Sequence, residues 1–135
     1  MTLDSLCGVH DLSGVEFGCP PSSEHWQRFD GVNAVRFTLD GVTYEAIEDP
    51  CDGYRSCLSD IYVTMTPPKY QFYPQKVMCY MSDNFDDDVL RMADTINGKT
   101  VMRLGTQNHT DYYPCFCFEW TPENFACNAH LRGEA

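Results

Sequence analysis

The stretch AVRFTL-DG-VTYEAI, residues 34–47, constrains this chain more than any other part of it. Two runs rich in β-branched and aromatic residues are joined by Asp40-Gly41, which supplies the φ > 0 positions that a two-residue hairpin turn demands. A β-hairpin follows. Within it Val35, Phe37 and Leu39 alternate with Ala34, Arg36 and Thr38, so the spacing predicts one buried face and one solvated face. A second hairpin is predicted about Asn97-Gly98, between DDVLRMADTI and KTVMRLGT. The residues of VLRMADTI also suit a helix, and the turn signal decides for strand.

Further strands are predicted at 14–18 (GVEFG), 60–65 (DIYVTM), 76–82 (KVMCYMS) and 112–120 (YYPCFCFEW). Pro67, Pro68 and Pro74 fence PPKYQFYP off from the sheet as an irregular segment, since proline cannot donate to a ladder. Helical signals are few: a short piece at 22–29 opened by a Ser-Glu capping pattern, a turn near 52–60, and a C-terminal turn from Thr121, where Thr-Pro-Glu-Asn sets a cap and an N1 proline. The sum is an α+β chain leaning to all-β, a mainly antiparallel sheet built from hairpins with a few short helices. At 135 residues it is read as one domain, 1–135.

Charge narrows the function. Twenty acidic against nine basic residues give a net charge of -11, a balance that repels phosphates and disfavours direct nucleic-acid binding. The N-terminal stretch lacks a signal-peptide pattern and no segment approaches the length of a membrane span, so the expected compartment is the cytoplasm. There the eight cysteines are expected as thiols, packed as small hydrophobes or holding a metal.

Three segments, FTLDGVTYEAIEDPCDGYRSCLSDI, NGKTVMRLGTQN and DYYPCFCFEWTPEN, together resemble a group of small, uncharacterised proteins encoded by tailed phages and prophages. The resemblance implies a host-cell cytoplasm. It brings no catalytic residue, and it points to proteins that bind and disable a host enzyme or a nucleic-acid-binding defence complex.

The residues offer three constellations. Acidic residues gather in two groups, Asp83, Asp86, Asp87, Asp88 and Asp94, and Glu45, Glu48, Asp49, Asp52 and Asp60, which a partner-binding or nucleic-acid-mimicking face would need. The first is not an EF-hand, because Phe85 and Asp88 stand where its third-position ligand and glycine belong. Tyr70, Phe72 and Tyr73, between prolines, suit a partner contact. Cys115, Cys117, Cys127 and His130 have the ligand types of a zinc site, but on a strand Cys115 and Cys117 more simply line one face of a central strand covered on both sides. Cys51 and Cys57 bracket a turn that could give a second metal half-site. His109, near Asp111, reads as a polar loop residue, and no nucleophile, metalloprotease or phosphate-loop motif accompanies it. The expectation is a non-catalytic inhibitor without cofactor. The alternative is a zinc-stabilised or small-ligand-binding domain.

Overall fold

A computed structural model describes residues 1–29, 31–50 and 55–121. It shows a single eight-stranded antiparallel sheet: β1 (Gly8–Cys19), β2 (Asn33–Leu39), β3 (Val42–Pro50), β4 (Ser56–Thr64), β5 (Tyr70–Met81), β6 (Asp88–Asp94), β7 (Thr100–Gln107) and β8 (Cys115–Trp120), in the order β4-β3-β2-β1-β5-β6-β7-β8. Two four-stranded meanders therefore meet at the β1–β5 pair. A 3₁₀ turn, Leu3–Leu6, and a four-residue helix, α1 (Glu24–Gln27), complete the described elements.

With so little helix among the described residues, the sheet buries its apolar face by curling on itself. One core cluster accordingly draws Leu12, Val35, Phe37, Ala46, Ile61, Val77, Leu90, Met92, Met102 and Leu104 from seven strands, with Phe116, Phe118 and Trp120 of β8 packed against it. Leu3 and Leu6 of the 3₁₀ turn enter the same cluster. The two ends of the sheet close at one corner, where β4 meets β7 and the residue before β8: Ser56 N–H donates to Pro114 O at 3.2 Å, and Leu58 N–H to Thr106 Oγ1 at 2.9 Å. Closure satisfies backbone groups that two free edges would leave open.

Both hairpins form, and their turns differ. Asp40 and Gly41 both take positive φ, 52° and 79°, as a two-residue type I′ turn requires. The two-residue type I′ turn that Asn97-Gly98 suggests does not form: the β6–β7 loop spans 95–99, with only Gly98 of the pair at positive φ, 72°, and Asp94 as its organiser. The Asp94 carboxylate accepts from Ile96 N–H at 2.6 Å and Asn97 N–H at 3.3 Å, and also holds Gln75 Nε2 inside the sheet.

Several expectations need correction. The Ala34/Arg36 side of β2 is not solvated: Ala34 is 1% and Arg36 8% exposed, because residues 20–27 lie over it and Cys19, Ala34, Ile47, Trp26 and Val32 pack as a second cluster. PPKYQFYP is not fenced off. β5 begins at Tyr70, and Leu12 pairs with Gln75 while Gly14 pairs with Gln71, so the extra residues about Pro74 bulge out of the ladder, where a missing N–H costs nothing. Residues 56–60 open β4 and form no helical turn. The capping pattern before α1 makes no side-chain cap at Ser23, and the Ser22 hydroxyl donates to Glu45. The segment after Thr121, with its expected turn, lies outside the described residues.

The β4–β5 connection passes three strands. The link covers residues 65–69 and bends at 65, 66 and 69. It passes over Gly14, where a Cβ would stand 2.6 Å from Pro68 Cγ.

Candidate functional site

The loop 82–87, continued by Asp88 at the start of β6, joins β5 to β6, and the 108–114 turn joins β7 to β8; the two are fastened to each other. His109 N–H donates to Asp86 O at 2.8 Å, His109 Nε2 lies 3.0 Å from Phe85 O, and Asn108 N–H donates to Asp87 Oδ1 at 3.2 Å. The Thr110 hydroxyl completes the clasp on Asp86 Oδ1 at 2.5 Å. Within the loop Asn84 Oδ1 accepts from Asp86 N–H at 3.2 Å, a local bond that asparagine favours in turns. The clasp fixes backbone that polar composition alone would leave mobile. Asn108 takes φ 55°, a conformation asparagine tolerates better than most residues.

This fastening decides which carboxylates can reach a partner. Asp83 and Asp88 are exposed, while Asp86 and Asp87 are half-buried and engaged in the clasp. Phe85, held between them, is 81% exposed. The same turn carries Tyr112 and Tyr113, 68% and 51% exposed and edge-on to each other at 4.8 Å, with the Arg55 guanidinium 4.8 Å over the Tyr112 ring. A rigid surface that alternates acids with exposed rings is the result.

Sheet closure adds the second acidic group to the same rim. Asp88 pairs with Thr106, whose Oγ1 accepts from Leu58 N–H, and Leu58 pairs with Glu48 on β3. Asp88 and Glu48 thus end one continuous row across the β7–β4 seam, although forty residues of sequence separate them. A cavity of about 430 Å³ opens at this seam between Cys57, Asp87, Asp88, Thr106, His109 and Pro114. Asp49, next to Glu48, pairs with Cys57, whose thiol lies 3.9 Å from Asp49 O.

Two acids expected on this face are elsewhere. Glu45 is 2% exposed and accepts from Ser22 N–H, Ser22 Oγ and Arg36 Nε, the last at 2.9 Å. Asp94 is 1% exposed and organises the β6–β7 loop. Neither carboxylate joins the acidic rim; each accepts from a buried donor that the fold would otherwise strand. Asp52 lies outside the described residues. Of the aromatic trio, Tyr70 and Tyr73 are 62% and 66% exposed, whereas Phe72 is half-buried and stacked on Trp120 at 5.8 Å. The trio lies on β5 and is not drawn into the 83–113 surface.

Cys115 and Cys117 do not line a central strand. β8 ends the strand order, Cys115 is exposed, and Cys117 is 5% exposed, with burial pushing its thiol pKa up. Among the described residues no three His, Cys, Asp or Glu side chains are placed to hold a metal ion; Cys127 and His130 of the expected zinc set, and Cys51 of the second half-site, lie outside them. His109 is a loop residue that fastens the acidic segment, and Asp111 turns instead to Tyr112 N–H at 2.6 Å. Among the described residues no helix is long and apolar enough to cross a membrane.

Phe85, Asp111, Tyr112 and Tyr113 were not singled out from sequence as contact residues. A signal was present for Phe85: an aromatic in SDNFDDD has no apolar periodic neighbour with which to enter a core. Comparison with protein-family models, with curated proteins and with solved structures finds no match.

Proposed function

We propose that this protein is a non-catalytic interaction protein that docks a basic surface of a partner protein, of the kind that binds nucleic acid, and thereby inhibits it. The observation that carries this reading is Phe85, 81% exposed on a loop that four hydrogen bonds hold in one conformation between Asp83 and Asp88. An apolar ring kept in water by a rigid frame is the arrangement of an interface anchor, and pre-organisation lowers the entropy lost on docking. Acids round it steer a basic partner and fix its orientation. A net charge of -11 supports the same sign of partner. A host protein bound in the cytoplasm of an infected cell fits the resemblance to phage proteins.

The test is affinity capture from cell lysate with the wild-type chain, with Phe85→Ala, and with the double variant Asp83→Asn, Asp88→Asn. A partner retained by the wild type, reduced about tenfold or more by Phe85→Ala and released by raising salt from about 50 to 150 mM, is the expected outcome. Recovery of the same proteins by all three chains, at either salt, overturns the reading.

A further inference from the structure

A separate cavity, on the outer face of β2–β4, stands apart from the acidic rim and is independent of the reading above. It measures about 380 Å³ and is lined by His25, Trp26 and Tyr62 as walls, with Ser22, Thr64 and Glu45 on its polar side. The rings are held in place. Trp26 packs against Cys19, Ala34 and Ile47, and His25 lies edge-on to both Trp26 and Phe29, at 5.5 and 5.6 Å.

Charge behind the cavity is out of balance. Arg36 Nε donates to Glu45 at 2.9 Å and its Nη1 to Glu16 at 3.1 Å, while Nη2 is taken by Pro20 O at 2.6 Å. One guanidinium thus serves two carboxylates whose side chains are 2% and 15% exposed. Burial alone would lower the Arg36 pKa, but Glu45 and Glu16 hold it above its ordinary value, so Arg36 stays charged. Cys19, beside Arg36, is pushed up to about 11, chiefly by burial, and stays a neutral thiol near pH 7. The group therefore carries one negative charge in excess, beneath a cavity walled by aromatic rings.

Unbalanced buried charge is costly, and the negative faces of Trp and Tyr attract a cation over the ring. The Glu45 oxygens already accept from Ser22 and Arg36, so what reaches the cavity is their field more than vacant lone pairs. A small, strongly hydrated metal ion would need those lone pairs; a weakly hydrated organic cation would not. We propose that this cavity binds an alkylammonium group, seated against Trp26 and Tyr62 above the Glu45 carboxylate. Such a head group can come from a lysine side chain of a partner or from a small free amine.

The chain has two tryptophans, so the Trp26 indole N–H signal can be followed by NMR after assignment with Trp120→Phe. Choline, n-butylammonium and a blocked lysine are titrated beside 3,3-dimethylbutanol, the uncharged isostere of choline. The expected result is a saturable shift of Trp26 with the ammonium probes and at least about tenfold weaker binding of the alcohol. Glu16→Gln removes the excess charge while leaving the Arg36–Glu45 pair, and weakens the ammonium probes about tenfold without changing the alcohol. Tyr62→Ala, at a side chain 42% exposed, weakens them too with the far-ultraviolet spectrum unchanged. Tighter binding of the blocked lysine assigns the site to a partner's lysine, and tighter binding of choline to a free amine. Equal binding of the alcohol, or no saturable shift with any ammonium probe up to about 50 mM, overturns the proposal.

Discussion

Two rows of side chains cross the outer face of the sheet, one in each four-stranded half. In β4-β3-β2-β1 the directly opposed residues are Tyr62, Glu45, Arg36 and Glu16; in β5-β6-β7-β8 they are Tyr80, Arg91, Arg103 and Glu119. Both rows begin on a tyrosine and end on a glutamate. Between those ends the first row alternates in sign, so that its arginine has a carboxylate on either side. The second sets two arginines directly opposite each other, with one carboxylate, at 3.1 Å from Arg103, to serve them. Among the described residues the Nε atoms of Arg91 and Arg103 are buried without a hydrogen-bond partner, whereas all three nitrogens of Arg36 are used. Similar residues on similar strands thus make a saturated network in one half and a repulsive pair in the other. Cross-strand order, more than composition, decides which arises.

The first row is most sensitive at Glu45. Glu45→Ala leaves Arg36 buried with one of its carboxylates gone, and should cost about 3–5 kcal/mol in chemical denaturation. Replacing Arg36 and Glu45 together by apolar residues of similar volume should cost much less, because no buried charge is left behind. A loss in the double variant equal to that of Glu45→Ala would show that the network is not the reason.

The other half has its own sensitive point in the backbone. At Gly105, φ is 153° and a Cβ would stand 2.1 Å from Asp88 O and 2.7 Å from Val89 Cα, so β7 approaches β6 there as only glycine allows. Gly105→Ala should cost about 3 kcal/mol by the same measurement. Because Asp88 and Thr106 pair beside it, amide exchange along the Asp88–Glu48 row should rise in the same variant.

Arg91→Leu sharpens the contrast between the rows. It removes a like-charge opposition and an unpartnered buried nitrogen, so stability should hold or rise by up to about 1 kcal/mol. The equivalent change at Arg36 should be clearly destabilising. If both arginines respond alike, the distinction between saturated and unsaturated rows fails.

The smallest effect is a pH dependence at the first hairpin turn. Asp40 accepts from His10 Nδ1 at 2.6 Å and from Asp11 N–H at 2.8 Å, and the His10 bond, then that of Asp11, hold its carboxyl below the ordinary value of 3.8. A carboxyl depressed in the folded state contributes stability above its unfolded pKa and loses it as pH falls through the folded one. Wild type should therefore exceed Asp40→Asn in denaturation midpoint near pH 5, with the gap closing below about pH 4. With Asp40 52% exposed, solvent screening keeps the gap small.

Local patterns carried much of this fold. Asp40-Gly41 marked a two-residue turn with positive φ, Val35, Phe37 and Leu39 marked the core side, and the β6–β7 hairpin, though not its turn, followed from Asn97-Gly98 against a competing helical preference. Where the reading failed, a distant segment had covered a face. Arg36 reads as a solvent-facing residue in isolation; residues 20–22 and Glu16, far away along the chain, make its position internal. Pro74 reads as a strand breaker, and a bulge opposite Ser13 lets the strand absorb it.

For the candidate site the division is sharper still. Residue order alone determined an acidic, aromatic-rich antiparallel protein with Asp clusters at its strand ends, since turn chemistry and alternation act over a few residues. It could not say which carboxylates stay in water. That was decided when the sheet curled and β4 met β7 and β8, because burial and hydrogen-bond demand are set by whatever arrives from elsewhere in the chain. Closure put Asp88 and Glu48 on one rim, the β7–β8 turn clasped Asp86 and Asp87, and internal donors drew Glu45 and Asp94 inside.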